Sequence, residues 1–197
     1  GHSPADFMDE KILAFYLHAV QFIMGDLEGT TVPSNRLSPA VRAQEQLGWR
    51  FGVTAWGLHK FTLFETIEKT RQLGLSFVGG LSFQKVSPEI PKNFDCQLTD
   101  DELCQIRLKM DSAGVRMPTC FYASIPGDED GCRRVFEFGR KMGIETFISE
   151  PPPDSLDMIE RFCDEYDINL AIHNHGPDQS PVYWRPEGVL EVCQGRS

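Results

Sequence analysis

Basic residues are scarce in this chain. Nineteen Lys and Arg stand against 29 Asp and Glu, a formal charge of −10 over 197 residues. No Lys/Arg cluster relieves the deficit, so the electrostatic footprint that nucleic acid or an anionic membrane surface would need is missing. The acidic residues are scattered and read as a solvated surface. Long apolar runs are missing too: none reaches the roughly 20 residues of a membrane-spanning helix. The six cysteines, Cys96, Cys104, Cys120, Cys132, Cys163 and Cys193, show no C-x-x-C spacing. They fall in helix and strand patterns and are expected as reduced core thiols, outside any metal or disulfide framework. The chain opens on Gly1 with no initiator Met or signal peptide, and Gly195-Arg196-Ser197 follows without a closing element. Both ends read as cut, so a missing leader says little, and the expected location is the cytoplasm.

What is present is 41% apolar, enough for one good core. Residues 1–28 form a first unit. Ser3 and Pro4 make a helix start, and Ile12, Phe15, Tyr16, Ala19, Phe22 and Ile23 recur at helical spacing up to a stop at Gly25. Residues 29–48, with Gly, Thr, Pro, Ser and Asn, read as a linker.

From residue 50 a regular alternation begins. Strands are expected at 50–56, 76–80, 116–123, 145–149 and 168–175, and helices at 63–73, 99–113, 131–142, 154–166 and 186–193. Thr99 and Glu102 form a capping box, and Gly74, Gly114 and Gly143 close helices. Alternating βα units leave a (β/α)8 barrel or an open doubly wound sheet. No Gly-rich phosphate loop follows the first strand. Polar residues gather instead just after the strands: Trp56 and His59, Gln84 and Lys85, Tyr122 and Ser124, Glu150, then His173 and His175. In a barrel these converge on one mouth, so the expected fold is α/β, a partial (β/α)8 TIM barrel of about five βα units behind an N-terminal helical segment. Residues 49–197 would hold that barrel, short by about three units. The inner strand faces, with Val53, Phe77 and Ile172 as examples, would lack the side chains that fill a closed barrel.

The run Asn169-Leu170-Ala171-Ile172-His173-Asn174-His175-Gly176-Pro177 carries the chemistry. In a period-2 strand His173 and His175 point one way and Asn174 the other. Two like-facing imidazoles at a strand's carboxyl end can shuttle a proton or hold a metal, and can equally cap backbone groups. Glu150, before three prolines, is held rigidly at the mouth or caps the next helix. Trp56 stacks on a sugar or packs the barrel top. His59 and Lys60 touch substrate or are solvated; Gln84 and Lys85 bind a hydroxyl or phosphate or are simply exposed. Arg133, Arg134, Arg140 and Lys141 read as a solvated helix face, and His2 and His18 take no catalytic role.

Four segments resemble a known family: RFGVTAWGLHKFTLFETIEKTRQLGLSFVGG, LTDDELCQIRLKMDSAGVRM, residues 142–168, and NLAIHNHGP. They look like the xylose-isomerase-like sugar phosphate isomerase/epimerase barrels, over residues 50–197. The opening GHSPADFMDEKILAFYLHAVQFIMGDL is similar to the end of a ThuA-like (trehalose-utilisation) domain. The first resemblance implies a sugar or sugar-phosphate isomerase or epimerase in an incomplete copy, with a divalent metal (Mn, Mg, Co or Zn) at the mouth and acid/base groups moving a proton between adjacent carbons. Carried onto this sequence, it gives Glu150 and His173 as metal ligands, His173 and His175 as catalytic groups, and Trp56, His59, Gln84 and Lys85 as sugar-binding residues. His173 stands where these epimerases often place a metal-binding Glu, a departure that puts ligation by this strand in doubt. The ligands implied from strands six to eight would fall beyond Ser197. A lyase or hydratase acting on oxidised sugars is a neighbouring reading, and a non-catalytic carbohydrate-binding module is a distinct one.

Overall fold

A computed structural model describes residues 17–21, 42–43 and 46–196. The chain divides into two units, Gly1–Arg36 and Leu37–Ser197. In the first, residues 17–21 are helical, with Ala19 half-buried and His18 exposed. The Ser3-Pro4 start, Gly25 and the rest of the apolar stripe lie outside the described residues, as does most of the segment read as a linker.

The second unit alternates strands and helices. Five strands, β1 (Gly52–Thr54), β2 (Phe77–Leu81), β3 (Arg116–Phe121), β4 (Thr146–Ser149) and β5 (Asn169–Ile172), form one sheet in sequential order. Every pairing is parallel. The helices are α1 (Leu63–Gln72), α2 (Asp100–Ala113), α3 (Glu129–Met142), α4 (Leu156–Tyr166) and α5 (Pro186–Cys193). This is a partial (β/α)8 barrel.

Local chemistry sets the helix ends. Thr99 and Glu102 make the expected capping box, and Thr62 with Glu65 make a second before α1. Asp128 accepts from the Gly131 amide, so α3 starts two residues ahead of its expected start. Gly114 and Gly143 end α2 and α3 at φ 64° and 72°, a left-handed turn where a Cβ costs energy. Before α4, Pro153–Ser155 form a 3-10 turn in place of the first helical residues.

Two strands are shorter than their apolar patterns. The first ends at Thr54, and Ala55–Leu58 fold into a 3-10 turn over the fully buried Ala55. The last keeps one ladder bond past Ile172, from the His173 amide to the Ser149 carbonyl at 2.9 Å. Beyond it β4 has become Pro151-Pro152-Pro153, which has no N–H to offer, so the ladder stops there.

The core lies between the sheet and the helices. Val78, Cys120 and Phe147 face the helices from the strands and are buried. Phe147 joins a chain of ring contacts, to Tyr122 and on to Phe138 on one side, and to Phe136 and on to Phe162 and Tyr166 on the other. Each fully buried Phe stabilises the fold by about 1.5–3 kcal/mol. The β2–α2 connection adds a small pleat, Lys85 bridging Asn93, that brings Phe94 onto Phe138.

The opposite face is concave and open. Phe77, Thr119, Phe121, Thr146 and Ile148 border a cavity of about 420 Å³ on it. Gly79, Thr119, Thr146 and Asn169 stand in register across four strands. At its amino-terminal end Arg50 pairs with Glu145. Of three residues expected on this face, Phe77 is there. Val53 also borders the cavity, although its in-register partner is the buried Val78. Ile172 lines a groove of about 480 Å³ beneath α4 and α5. Strand alternation separates Phe77 from Val78, since the two are adjacent and point to opposite faces.

Six free thiols are present, and not all are core residues. Cys120 and Cys132 are buried, Cys96 and Cys163 half-buried, and Cys104 and Cys193 exposed.

Candidate active site

The parallel sheet delivers its strand ends to one edge, and β4 and β5 bring three ligating side chains together there. Counting by alternation from Thr146 and Ile148 on the concave face, Glu150 falls on the concave side. Counting from the in-register Ala171, so does His173. One ligand atom from each of Glu150, His173 and His175 lies within 4.8 Å of the others. The His173 and His175 rings meet edge to face, centroids 4.6 Å apart at 86°. The shared side expected of H-x-H is therefore kept, although only His173 retains a ladder bond.

Glu150 Oε1 sits 2.6 Å from His175 Nδ1. The Glu150 side chain is 19% exposed and that of His175 42%. A carboxylate that is ionised can only accept, so in this contact the donated hydrogen is the one on the imidazole Nδ1. Glu150 is thereby a mouth residue, and α4 begins without its carboxylate.

A row of rings continues the site across the mouth. His173 meets Phe121 at 5.1 Å, Phe121 meets Phe83 at 6.2 Å, Phe83 meets Trp56 at 6.1 Å, and Trp56 stacks on His59 at 5.1 Å. His59 Nδ1 also lies 2.6 Å from the Trp56 carbonyl, which fixes the turn that carries both. Trp56 is 60% exposed and offers an aromatic face to solvent. Phe83 and Phe121 were absent from the residues singled out by sequence. Phe121 follows Thr119 by two on β3, so strand alternation alone would have placed it inward.

Two other residues expected at the mouth, Gln84 and Tyr122, are buried. Gln84 is buried and donates to the Phe61 carbonyl at 2.9 Å and to Thr66 Oγ1 at 3.0 Å. It ties the β2 loop to the start of α1. Its Oε1 is buried without a hydrogen-bond partner, as are the hydroxyls of Ser149 and Ser180. Lys85 is exposed, and so are Lys60 and Ser124. Tyr122 is buried and accepts from the Cys96 amide, facing away from the mouth; burial pushes its phenol up. On α3, Arg133 binds Glu165 at 2.7 Å, Arg140 stacks over Tyr166 and Lys141 binds Asp100 at 2.6 Å. These cations lace neighbouring helices together.

A further side chain at the site comes from the β5–α5 loop. Tyr183 is buried and donates its hydroxyl to the Pro151 carbonyl at 2.5 Å.

No family model and no curated protein matches this chain. Solved structures do. An uncharacterised protein of Parabacteroides distasonis is 32% identical, over 75% of this chain and 60% of its own, with a TM-score of 0.61. A D-tagatose 3-epimerase-like protein is 13% identical, over 74% of this chain and 60% of its own, with a TM-score of 0.53. The chain spans about 60% of the length of both. The second likeness is one of fold alone. No helix among the described residues is long and apolar enough to cross a membrane.

Proposed function

We propose that the second unit is part of a sugar or sugar-phosphate isomerase or epimerase of the xylose-isomerase-like kind. The observation that carries this reading is the Glu150–His175 pair with His173 beside it, at the carboxyl ends of parallel strands. The neighbouring D-tagatose 3-epimerase-like fold supports it.

The residues suggest a division of labour. Glu150 fixes the tautomer of His175, so Nε2 is the atom that takes a proton from the carbon beside a sugar carbonyl and gives it back. Trp56, Phe83 and Phe121 present ring faces and edges to the apolar side of a sugar. A carboxylate with two imidazoles fits a divalent ion such as Mn, Co or Zn better than Mg. His173 and the second oxygen of Glu150 would hold it. Once bound, such an ion polarises a carbonyl or hydroxyl. By resemblance, the N-terminal unit belongs to a ThuA-like domain.

The test is exchange of the carbonyl-adjacent hydrogen of ketoses with deuterated water, in Mn²⁺, by a protein in which the barrel is complete. Exchange that disappears in His175→Ala and Glu150→Gln is expected. A folded, metal-loaded protein that exchanges no ketose would overturn the reading. A second role, sugar binding without turnover, is favoured by the exposure of Trp56; there Trp56→Ala abolishes sugar binding while Glu150→Gln leaves it intact.

A further inference from the structure

We infer that Tyr183 is a positioning residue for the Glu150–His175 pair. The inference rests on the proposed role of that pair and adds the device that sets its geometry.

Glu150 stands between the end of β4 and three successive prolines. The prolines have no N–H, so this stretch can be held only through its carbonyls and by packing. All three of those carbonyls have partners, and the Pro153 carbonyl accepts from the Leu156 amide within the turn before α4. The Pro152 carbonyl accepts from the amide and hydroxyl of Ser155, three residues on, and that bond is local to the turn before α4. The Pro151 carbonyl accepts from Tyr183, 32 residues away, on the loop that leaves His175 for α5. The amides of Gln179 and Ser180 both turn back to the Gly176 carbonyl, so this loop leaves the histidine as a tight turn. The Tyr183 bond therefore joins the peptide after Glu150 to the loop after His175, and the 2.6 Å carboxylate–imidazole contact closes the ring from the other side. Neither strand end has a ladder to hold it at this point, so the hydroxyl supplies the crosslink that the sheet does not. Burial, and after it Cys193 and Glu150 nearby, push the phenol of Tyr183 up, which keeps its proton in place as the donor.

Removing the hydroxyl and keeping the ring isolates this role. In Tyr183→Phe, long-range proton–nitrogen NMR of the imidazoles should show the Nδ1–H form of His175 falling about twofold, with Nε2–H rising in its place. Ser155→Ala is the control, since it deletes a hydroxyl bond to the next proline carbonyl without touching the crosslink. It should leave the tautomer unchanged. Melting curves of both variants show whether the fold is retained. If Tyr183→Phe melts with the parent and keeps its tautomer, or if Ser155→Ala shifts it equally, Tyr183 does not position the pair. If the parent itself holds His175 as Nε2–H, the Glu150–His175 pairing fails and this inference with it. If Tyr183→Phe fails to fold, the hydroxyl is an element of the fold and the positioning role is overturned.

Discussion

At the scale of single residues, environment divides chemically identical groups. Burial pushes the thiol of Cys132 up to about 12 and that of Cys163 to about 11, and raises Cys120 as well. Cys104 and Cys193 are exposed. A thiol-reactive disulfide reagent at pH 8 should label Cys104 and Cys193 within the dead time, and Cys120 and Cys132 only on unfolding. Early labelling of Cys132, read by peptide mass, contradicts the packing between α3 and α4. The three ligating groups of the site are also few. Calorimetric titration with Mn²⁺ or Zn²⁺ is expected to give weak binding that is lost in His173→Ala, since three side chains fall short of a full ligand set. Tight stoichiometric binding would instead mean that Glu150, His173 and His175 complete a site. The histidines themselves were legible from the H-x-H spacing. Glu150 was legible as a residue of the same mouth, but not as the partner of His175, because nothing in local sequence says that the loop after β4 leans toward the loop after β5. The burial of Gln84 was not legible either: a polar residue after a strand can turn back into the fold and satisfy backbone carbonyls, which composition does not distinguish from facing a ligand.

At the scale of elements, caps and close approaches set the tolerances. Thr99→Ala removes one side of a capping box and should cost about 1 kcal/mol in chemical denaturation. A Cβ on Gly139 would lie 2.6 Å from Phe147 Cζ, where α3 presses on the sheet. Gly139→Ala should therefore cost about 1–3 kcal/mol by overpacking, more than the gain in helix propensity returns. Glu68 on α1 binds Arg71, and Lys109 of α2 approaches it at 3.7 Å. Arg71 above all holds its carboxyl at about 2, below the usual 4.5. A depressed carboxyl stabilises the fold above its unfolded value and loses that contribution as pH falls through the folded one. The difference in stability between the parent and Glu68→Gln should be full above about pH 4.5 and gone near pH 2. It will be small, because the pair is about one-third exposed and screened by salt. A difference that grows toward low pH contradicts the assignment. Element order and type were legible because 3.6-residue and two-residue periodicities carry them. The ends of β1 and β5 were not, because β1 gives way to the turn at Ala55–Leu58 and β5 stops where β4 runs into three prolines.

At the scale of the whole second unit, the concave face has no cover among the described residues. Phe77, Phe121 and Ile148 are half-buried there, and Ala171 is exposed on β5. Among the described residues, β1 and β5 are the edges of the sheet, each with no further strand beside it. The 197-residue chain is expected to associate and to melt broadly, as light scattering and calorimetry would show. Supplying about three further βα units against β5 should give a monomer with one sharp transition. A sharp monomeric transition in the shorter chain contradicts this.

The strand order β1-β2-β3-β4-β5 repeats the order of synthesis. Each strand's partner on one side has already been made when the strand emerges from the ribosome. No strand must wait for a distant segment, so loop-closure entropy is met in small instalments. The nascent chain can grow its sheet by docking one βα unit at a time on the last, with the newest strand always at the exposed edge. Translation pauses after α4 would hold β4 in that position, and it is β5 with its two histidines that would next relieve it.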